Sequence, residues 1–205
     1  MGFYSDVILP FGIDFCMRGE EFSEYRKKYL ADVKGDTLEV GFGSGLNLPH
    51  YPDTITRLWA LDPAKMGRKL AKKRLEAISF PIEFIDLEDE RIPLEDASVD
   101  TVVTTWTLCT IPPVADALQE FKRVLKPGGR YVFLEHGLSP DDNIARWQNR
   151  LNPIQKAFAG GCHLNRRIDD LIAASGLKIE KLENFYFPCP KIAGYMYAGY
   201  AVKEG

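Results

Sequence analysis

Along the first 135 residues, short apolar runs alternate with segments whose apolar residues recur every three or four positions. Residues 20–30 (EEFSEYRKKYL) align Phe22, Tyr25, Tyr29 and Leu30 on one stripe, which predicts an amphipathic helix. A turn at Lys34-Gly35-Asp36 separates it from a strand at 37–40. A second strand is predicted at 58–61, ending on Asp62-Pro63, followed by a helix over 64–78. Residues 82–85, 101–106 and 130–135 predict three more buried strands. A helix over 114–125 precedes the last of them and stops at Lys126-Pro127-Gly128-Gly129. Strands alternating with crossover helices predict an α/β fold, a doubly wound and mostly parallel sheet covered on both faces.

After His136 the pattern changes. Residues 137–165 are polar, contain Trp147 and several glycines, and predict an insertion with one helix near 143–151. Loops of this length in a compact domain tend to carry function. A final helix is predicted at 166–175, stopped by Gly176. Residues 178–186 and 195–202 then predict an antiparallel hairpin at the sheet edge, with no internal repeat anywhere in the chain.

The run Leu38-Glu39-Val40-Gly41-Phe42-Gly43-Ser44-Gly45-Leu46-Asn47 reads as strand, tight turn, helix start. Glycines there let the backbone turn sharply and approach a ligand at the point where an open α/β sheet binds it. A dinucleotide fingerprint would be GxGxxG, yet Leu46 stands at the third glycine position. The spacing is instead Glu-x-Gly-x-Gly-x-Gly. A carboxylate two places before the first glycine repels phosphate and suits a positively charged ligand. Asp62, 21 residues beyond Gly41 at the end of the second strand, is placed to accept the hydroxyls of a ribose. The third strand ends in Phe84-Ile85-Asp86-Leu87-Glu88-Asp89, which brings further acids to the same crevice.

Composition narrows the class. With 205 residues, 45% of them apolar and 27% charged, the chain fits one ordered domain that needs no disulfide staples. A net charge of −3 supplies no field for nucleic acid. Cys16, Cys109, Cys162 and Cys189 are too far apart in sequence for a CxxC pair or a zinc-ligand spacing, which favours a reduced, cytoplasmic protein. The N-terminal residues lack a basic leader, and no stretch reaches the roughly 18 apolar residues that would cross a bilayer, so neither secretion nor a spanning segment is expected. Asp6 stands where a myristoylation signal wants Ser or Thr.

The segments LEVGFGSGLN, LWALDPA, FIDLEDERIPLEDASVDTVVTTWTL and FKRVLKPGGRYVFLEHG together resemble class I S-adenosylmethionine-dependent methyltransferases of the ubiquinone/menaquinone-biosynthesis type. The resemblance covers about half the chain. It implies a Rossmann-like, doubly wound seven-stranded sheet in a single domain over 1–205, with an N-terminal helical cap (1–36) and a substrate-side insertion (137–165). It also implies S-adenosyl-L-methionine as cofactor. By this resemblance Gly41, Gly43 and Gly45 pass under the cofactor, Glu39 orients the loop and the methionine ammonium, and Asp62 takes the ribose. Asn47, Pro63, Met66 and Thr105 are implied as further contacts. Glu88 falls where the family commonly has an Asp near the adenine amino group, and Asp89 would offer its backbone N–H to the ring. Arg18, Arg26 and Lys27 precede the first strand, where related enzymes place a cation near the methionine carboxylate. Thr105-x-x-Leu108-Cys109, Glu135-His136, Gly161-Cys162-His163-Leu164-Asn165-Arg166 and Gly199-Tyr200-Ala201-Val202-Lys203 are similar to the alkyl thiol S-methyltransferases, whose hydrophobic N-terminal anchor is not expected in this chain.

Displacement at a sulfonium methyl needs alignment and water exclusion rather than a metal. The expected acceptor is a small molecule, a thiol or hydrosulfide, with His136 or His163 as candidate base and Tyr4, Trp106 and Cys109 as candidate pocket residues. The alternatives are a quinone ring carbon, a phospholipid amine, or a protein that binds the cofactor without catalysis. Lys65, Arg68, Lys69 and Lys72 form a helical stripe that is either a solvated face or a peripheral contact with an anionic membrane. Either a monomer or a homodimer fits.

Overall fold

The computed structural model describes residues 8–63 and 65–205. It holds a seven-stranded sheet in the order β3-β2-β1-β4-β5-β7-β6. The strands are β1 (Gly35–Val40), β2 (Ile55–Leu61), β3 (Ile82–Ile85), β4 (Val99–Thr105), β5 (Leu125–His136), β6 (Lys178–Tyr186) and β7 (Tyr195–Val202). The pairs β1/β2, β1/β4, β2/β3 and β4/β5 are parallel, whereas β7 runs antiparallel to both β5 and β6. Strand order reverses between β1 and β4. A crevice therefore opens at the carboxyl ends of these two strands, where their crossovers leave to opposite sides.

The central strands read as near-continuous apolar runs because both of their faces are covered. Alternate residues divide between two cores. Leu38, Val40, Val102 and Phe133 pack with Leu118, Phe121 and Val124 of α5 (Val114–Val124) and with Ile168 and Ile172 of α7 (Ile168–Ala174). Leu58, Ala60, Val103 and Val132 face the other way, onto Leu30 of α2 (Glu20–Leu30) and Ala71. The edge strand β6 is mostly exposed on alternate positions, as an antiparallel edge allows.

Several predicted boundaries move. The helix expected over 64–78 is two pieces, α3 (Lys65–Leu70) and α4 (Lys72–Leu75), because Arg74 N–H bonds back only three residues to Ala71 and tightens the turn. Strand β5 starts at Leu125, since Leu125 already pairs with Val99 and Lys126–Gly129 bulge out before Arg130 meets Thr101. The helix expected near 143–151 runs as α6 (Asp142–Phe158), through Pro153. Asp141 caps its start by accepting from the N–H groups of Asn143 and Ile144, and buried Gln148 ties it to the carbonyls of Gly137 and Ile192. A further helix, α1 (Leu9–Met17), precedes α2, and a short α8 (Lys191–Gly194) sits between β6 and β7. Among the described residues, no helix is long and apolar enough to cross a membrane.

Candidate active site

Where β1 and β4 part, a cavity of about 670 Å³ runs between the glycine loop, the β4 end and the two N-terminal helices. Its most buried polar group is Glu39, 1% exposed, which β1 holds between Ala60 and Val103. One carboxylate oxygen accepts from Asn47 Nδ2 at 2.8 Å and the other from Tyr51 Oη at 2.8 Å. Burial pushes the Glu39 carboxyl up to about 8, opposed by those two hydrogen bonds and by the charge of Arg26. Asn47 extends the network to Thr105 Oγ1 (3.0 Å), and Arg26 Nε donates to Asn47 Oδ1 (3.1 Å). Arg26 is itself buried and lines the cavity. Its guanidinium donates to the carbonyl of Met17 and lies over the Trp106 ring at 4.9 Å.

The glycine loop turns by left-handed backbone at Gly41, Gly43 and Gly45. A methyl group at Gly43 would meet no atom closer than 3.9 Å, so this residue presents bare backbone to open space. Its N–H donates to Asp62 Oδ2 at 2.7 Å, which places the acid at the end of β2 against the loop. From beneath, Gly67 of α3 lets the helix touch the Gly43 carbonyl, an approach any side chain would block. From above, Ser44 Oγ donates to Asp14 at 2.6 Å, and Asp14 pairs with Arg74 at 2.9 Å. The loop is thus clamped to α1, whose Ile13 and Met17 close one side of the cavity.

Trp106 follows β4 with a φ of 50°, rare for a bulky side chain, and its N–H donates to the Leu134 carbonyl. That conformation lays the indole on the cavity wall beside Phe22. Behind the wall, buried Glu135 accepts from the N–H groups of Thr107 and Leu108 at 2.8 and 3.0 Å, and burial raises it to about 7. His136 Nε2 lies 3.2 Å from Cys162 Sγ. A hydrogen bond from Cys109, then the neighbouring His136, hold the Cys162 thiol below the usual range, and Cys109 stands above it.

Of the expected cofactor residues, Glu39, Gly41, Gly43, Asn47, Asp62, Pro63 and Thr105 line the cavity. Gly45 lies beneath the loop against Leu48 and Phe42, and Met66 is off the lining. The acids that follow β3 share one turn. Glu88 and Arg91 exchange both backbone hydrogen bonds, and Asp89 and Glu90 turn between them at positive φ. This tight turn puts Glu90 and Leu87, not Glu88 or Asp89, on the cavity wall. Among pocket candidates Trp106 lines the cavity, Cys109 stands behind it, and Tyr4 lies outside the described residues. Neither His136 nor His163 is on the lining. Arg68 of the basic stripe pairs with Asp86 at 2.6 Å.

Residues 38–133 match the family described as Methyltransferase domain. The thiol S-methyltransferase TMT1B of Rattus norvegicus is 38% identical over 146 residues, 67% of this chain and 59% of that protein. The human thiol S-methyltransferase TMT1A is 30% identical over 190 residues, 90% of this chain and 77% of that protein. The chain thus spans less than two thirds of the rat relative's length. In fold it is similar to an S-adenosylmethionine-dependent methyltransferase of Thermotoga maritima, with a TM-score of 0.69, 17% identity and 98% of each chain covered.

Proposed function

This chain belongs to the class I S-adenosylmethionine-dependent methyltransferases, and from that premise we propose that it methylates a small thiol or hydrosulfide. The observation that carries the proposal is the single cavity that joins the Glu39–Asp62 crevice to a largely apolar far wall at Trp106, Ile111, Pro112, Gly160 and Gly161. The residues fit the cofactor. Glu39 is a buried acid joined through Asn47 to the buried cation Arg26, a pairing that suits a ligand with both an ammonium and a carboxylate, and Gly43 offers bare backbone to open space.

In this proposal Gly41 and Gly43 pass beneath the cofactor, with Gly45 and Met66 supporting the loop, and Glu39 with Asn47 faces the methionine ammonium. Arg26 supplies the cation for its carboxylate, and Asp62 takes the ribose. The adenine end lies toward Pro63, Leu87 and Glu90, while Glu88 and Asp89 shape the turn. When bound, S-adenosylmethionine supplies an electrophilic methyl group whose bonding electrons return to sulfur as the acceptor lone pair attacks. The protein's part is to hold the acceptor in line and to exclude water. Alignment of this kind supplies about 7 to 11 kcal/mol of a barrier. A thiol of ordinary pKa, about 8.5, is a few per cent ionised at neutral pH. Because neither His136 nor His163 lines the cavity, the thiol proton is assigned to solvent before transfer rather than to either imidazole.

Incubating the protein with methyl-labelled cofactor and a panel of alkyl thiols, hydrosulfide, quinones and phosphatidylethanolamine tests the proposal. Labelled thioether from an alkyl thiol, or labelled methanethiol from hydrosulfide, is the expected product. Label in the quinone or the lipid, with none in any thiol, would reject the acceptor while leaving the family intact.

A further inference from the structure

Cys109, His136 and Cys162 are far apart in sequence, yet the fold brings them together. Cys109 lies on the turn after β4, His136 closes β5, and Cys162 follows α6. One ligand-type atom from each lies within 4.8 Å of the other two, and the Cys162 Sγ to His136 Nε2 separation is 3.2 Å. All three side chains are buried. The proposed methyl transfer uses none of them.

We propose that these three residues form a binding site for zinc. A tetrahedral zinc, with bonds of about 2.3 Å to sulfur and 2.0–2.1 Å to imidazole nitrogen, spaces its ligand atoms roughly 3.4–3.8 Å apart. The observed cluster brackets those separations. Two sulfurs and an imidazole are a soft donor set that disfavours magnesium and calcium. Charge agrees, because a divalent ion with two thiolates and a neutral imidazole has no net charge, which a buried site demands. The second ring nitrogen of His136, Nδ1, is buried without a partner among the described residues. With Nε2 turned to the two sulfurs, Nδ1 faces the opposite way and is the position at which an outer-shell partner orients a metal-ligating imidazole.

The scaffold around the cluster is held independently of its side chains. His163 N–H donates to the Cys109 carbonyl at 2.8 Å, Cys162 N–H to the Ala159 carbonyl at 3.0 Å, and the Arg166 guanidinium to the Leu108 carbonyl. Three protein ligands leave a fourth position for water or an added thiol, the ligand number of open rather than closed zinc sites. Binding forms two zinc–sulfur bonds and one zinc–nitrogen bond, and any proton on either thiol passes to solvent. Thr107, Thr110 and Gly161, chain neighbours of the ligands, line the cavity. The metal would therefore pin the β4 turn to the end of α6 along the far cavity wall.

The test uses the 205-residue chain, reduced, stripped with a chelator and titrated with zinc alone against a chromophoric competitor. About one zinc per chain is expected, with a rise in thermal midpoint. Cobalt in its place should give the intense visible bands of a tetrahedral thiolate site. Cys162→Ala should weaken zinc binding by more than the 10–100-fold typical of losing an outer-shell partner, whereas Cys189→Ser, at an exposed cysteine, should leave it unchanged. Wild-type protein that takes up no zinc in competition, or cobalt spectra without thiolate character, would overturn the site even if Cys162→Ala proves unfolded. Thiol methylation is read separately, so neither result depends on the acceptor.

Discussion

Asn47 donates its amide N–H to Glu39 at 2.8 Å inside a site where neither side chain reaches solvent. The same amide oxygen accepts from Arg26, so one residue joins the buried acid to the buried cation. Replacing it with Leu removes three polar partners at once: Glu39, Thr105 and Arg26. The expected cost is about 1–3 kcal/mol of stability from the buried groups left unpaired, together with a cofactor affinity weakened at least about tenfold. Denaturant unfolding and titration calorimetry measure the two. Wild-type affinity in a folded Asn47→Leu variant would mean that the network is structural only.

The raised Glu39 pKa gives stability and binding opposite slopes with pH. Its folded value, about 8, lies above the ordinary carboxyl value of about 4.5. The neutral carboxyl therefore favours the fold, an effect fully present below 4.5 and lost as pH rises through about 8. The cofactor's ammonium demands the charged form. Below the midpoint each pH unit costs about tenfold in ionised Glu39, so affinity should climb from pH 6 to 8 and then level. Over the same window the ligand-free protein should lose thermal stability. Glu39→Gln should flatten both profiles. Tyr51→Phe, which removes a hydrogen bond favouring the charged form, should move the affinity midpoint upward. Calorimetry across pH reads all three, and a flat wild-type profile counts against Glu39 as the ammonium partner.

The sequence makes the central sheet legible because buried parallel strands leave continuous apolar runs and their glycine and proline boundaries are local signals. The edge hairpin at 178–186 and 195–202 is legible for a different reason: its inner strand is an apolar run and its outer strand mixes apolar and charged positions, as an antiparallel edge allows. Glu39 and Asp62 announce themselves through their spacing from the glycines, and Asn47 and Arg26 only through the family resemblance. The helix α1 carries no such mark. Its residues are mostly apolar, so no periodicity distinguishes a face, and its place is set by the contacts of Asp14 with Ser44 and Arg74 and of the Met17 carbonyl with Arg26. That Glu90 and not Glu88 lines the cavity is something no acidic count reveals, because it follows from the two-residue turn closed by Glu88 and Arg91. The Cys109–His136–Cys162 cluster is assembled by topology alone, since β4, β5 and α6 deliver one residue each.

Gly43 and Gly67 should respond in opposite ways to what helix and strand preferences suggest. Gly43→Val adds a side chain into the cavity at a φ of 54°, where the left-handed backbone costs about 1–2 kcal/mol. The domain should stay folded while cofactor binding is lost. Gly67→Ala lies within α3, where Ala is ordinarily better than Gly by about 1 kcal/mol. Its methyl group would strike the Gly43 carbonyl, so the loop must lift and both stability and affinity should fall. Circular dichroism with thermal melts separates folding from binding. A Gly67→Ala variant that is more stable than wild type would show that the helix and the loop do not constrain each other.

Arg26 combines a charge with a flat surface, and two substitutions divide the roles. Its guanidinium donates to Asn47 and to the Met17 carbonyl while covering the Trp106 ring at 4.9 Å. Arg26→Met keeps most of the apolar stem but leaves Asn47 and the carbonyl without their donor, at about 1–3 kcal/mol. Arg26→Lys retains the charge and loses the fork that spans both acceptors. If the cation serves the cofactor carboxylate, Lys should recover a substantial part of the affinity that Met loses. Methyl esterification of the cofactor's carboxylate should also weaken wild-type binding while having little effect on the Met variant. Binding constants for four combinations, two proteins with two cofactor forms, give the coupling directly. Additive effects would assign Arg26 to fixing the indole and the α1 end rather than to the carboxylate.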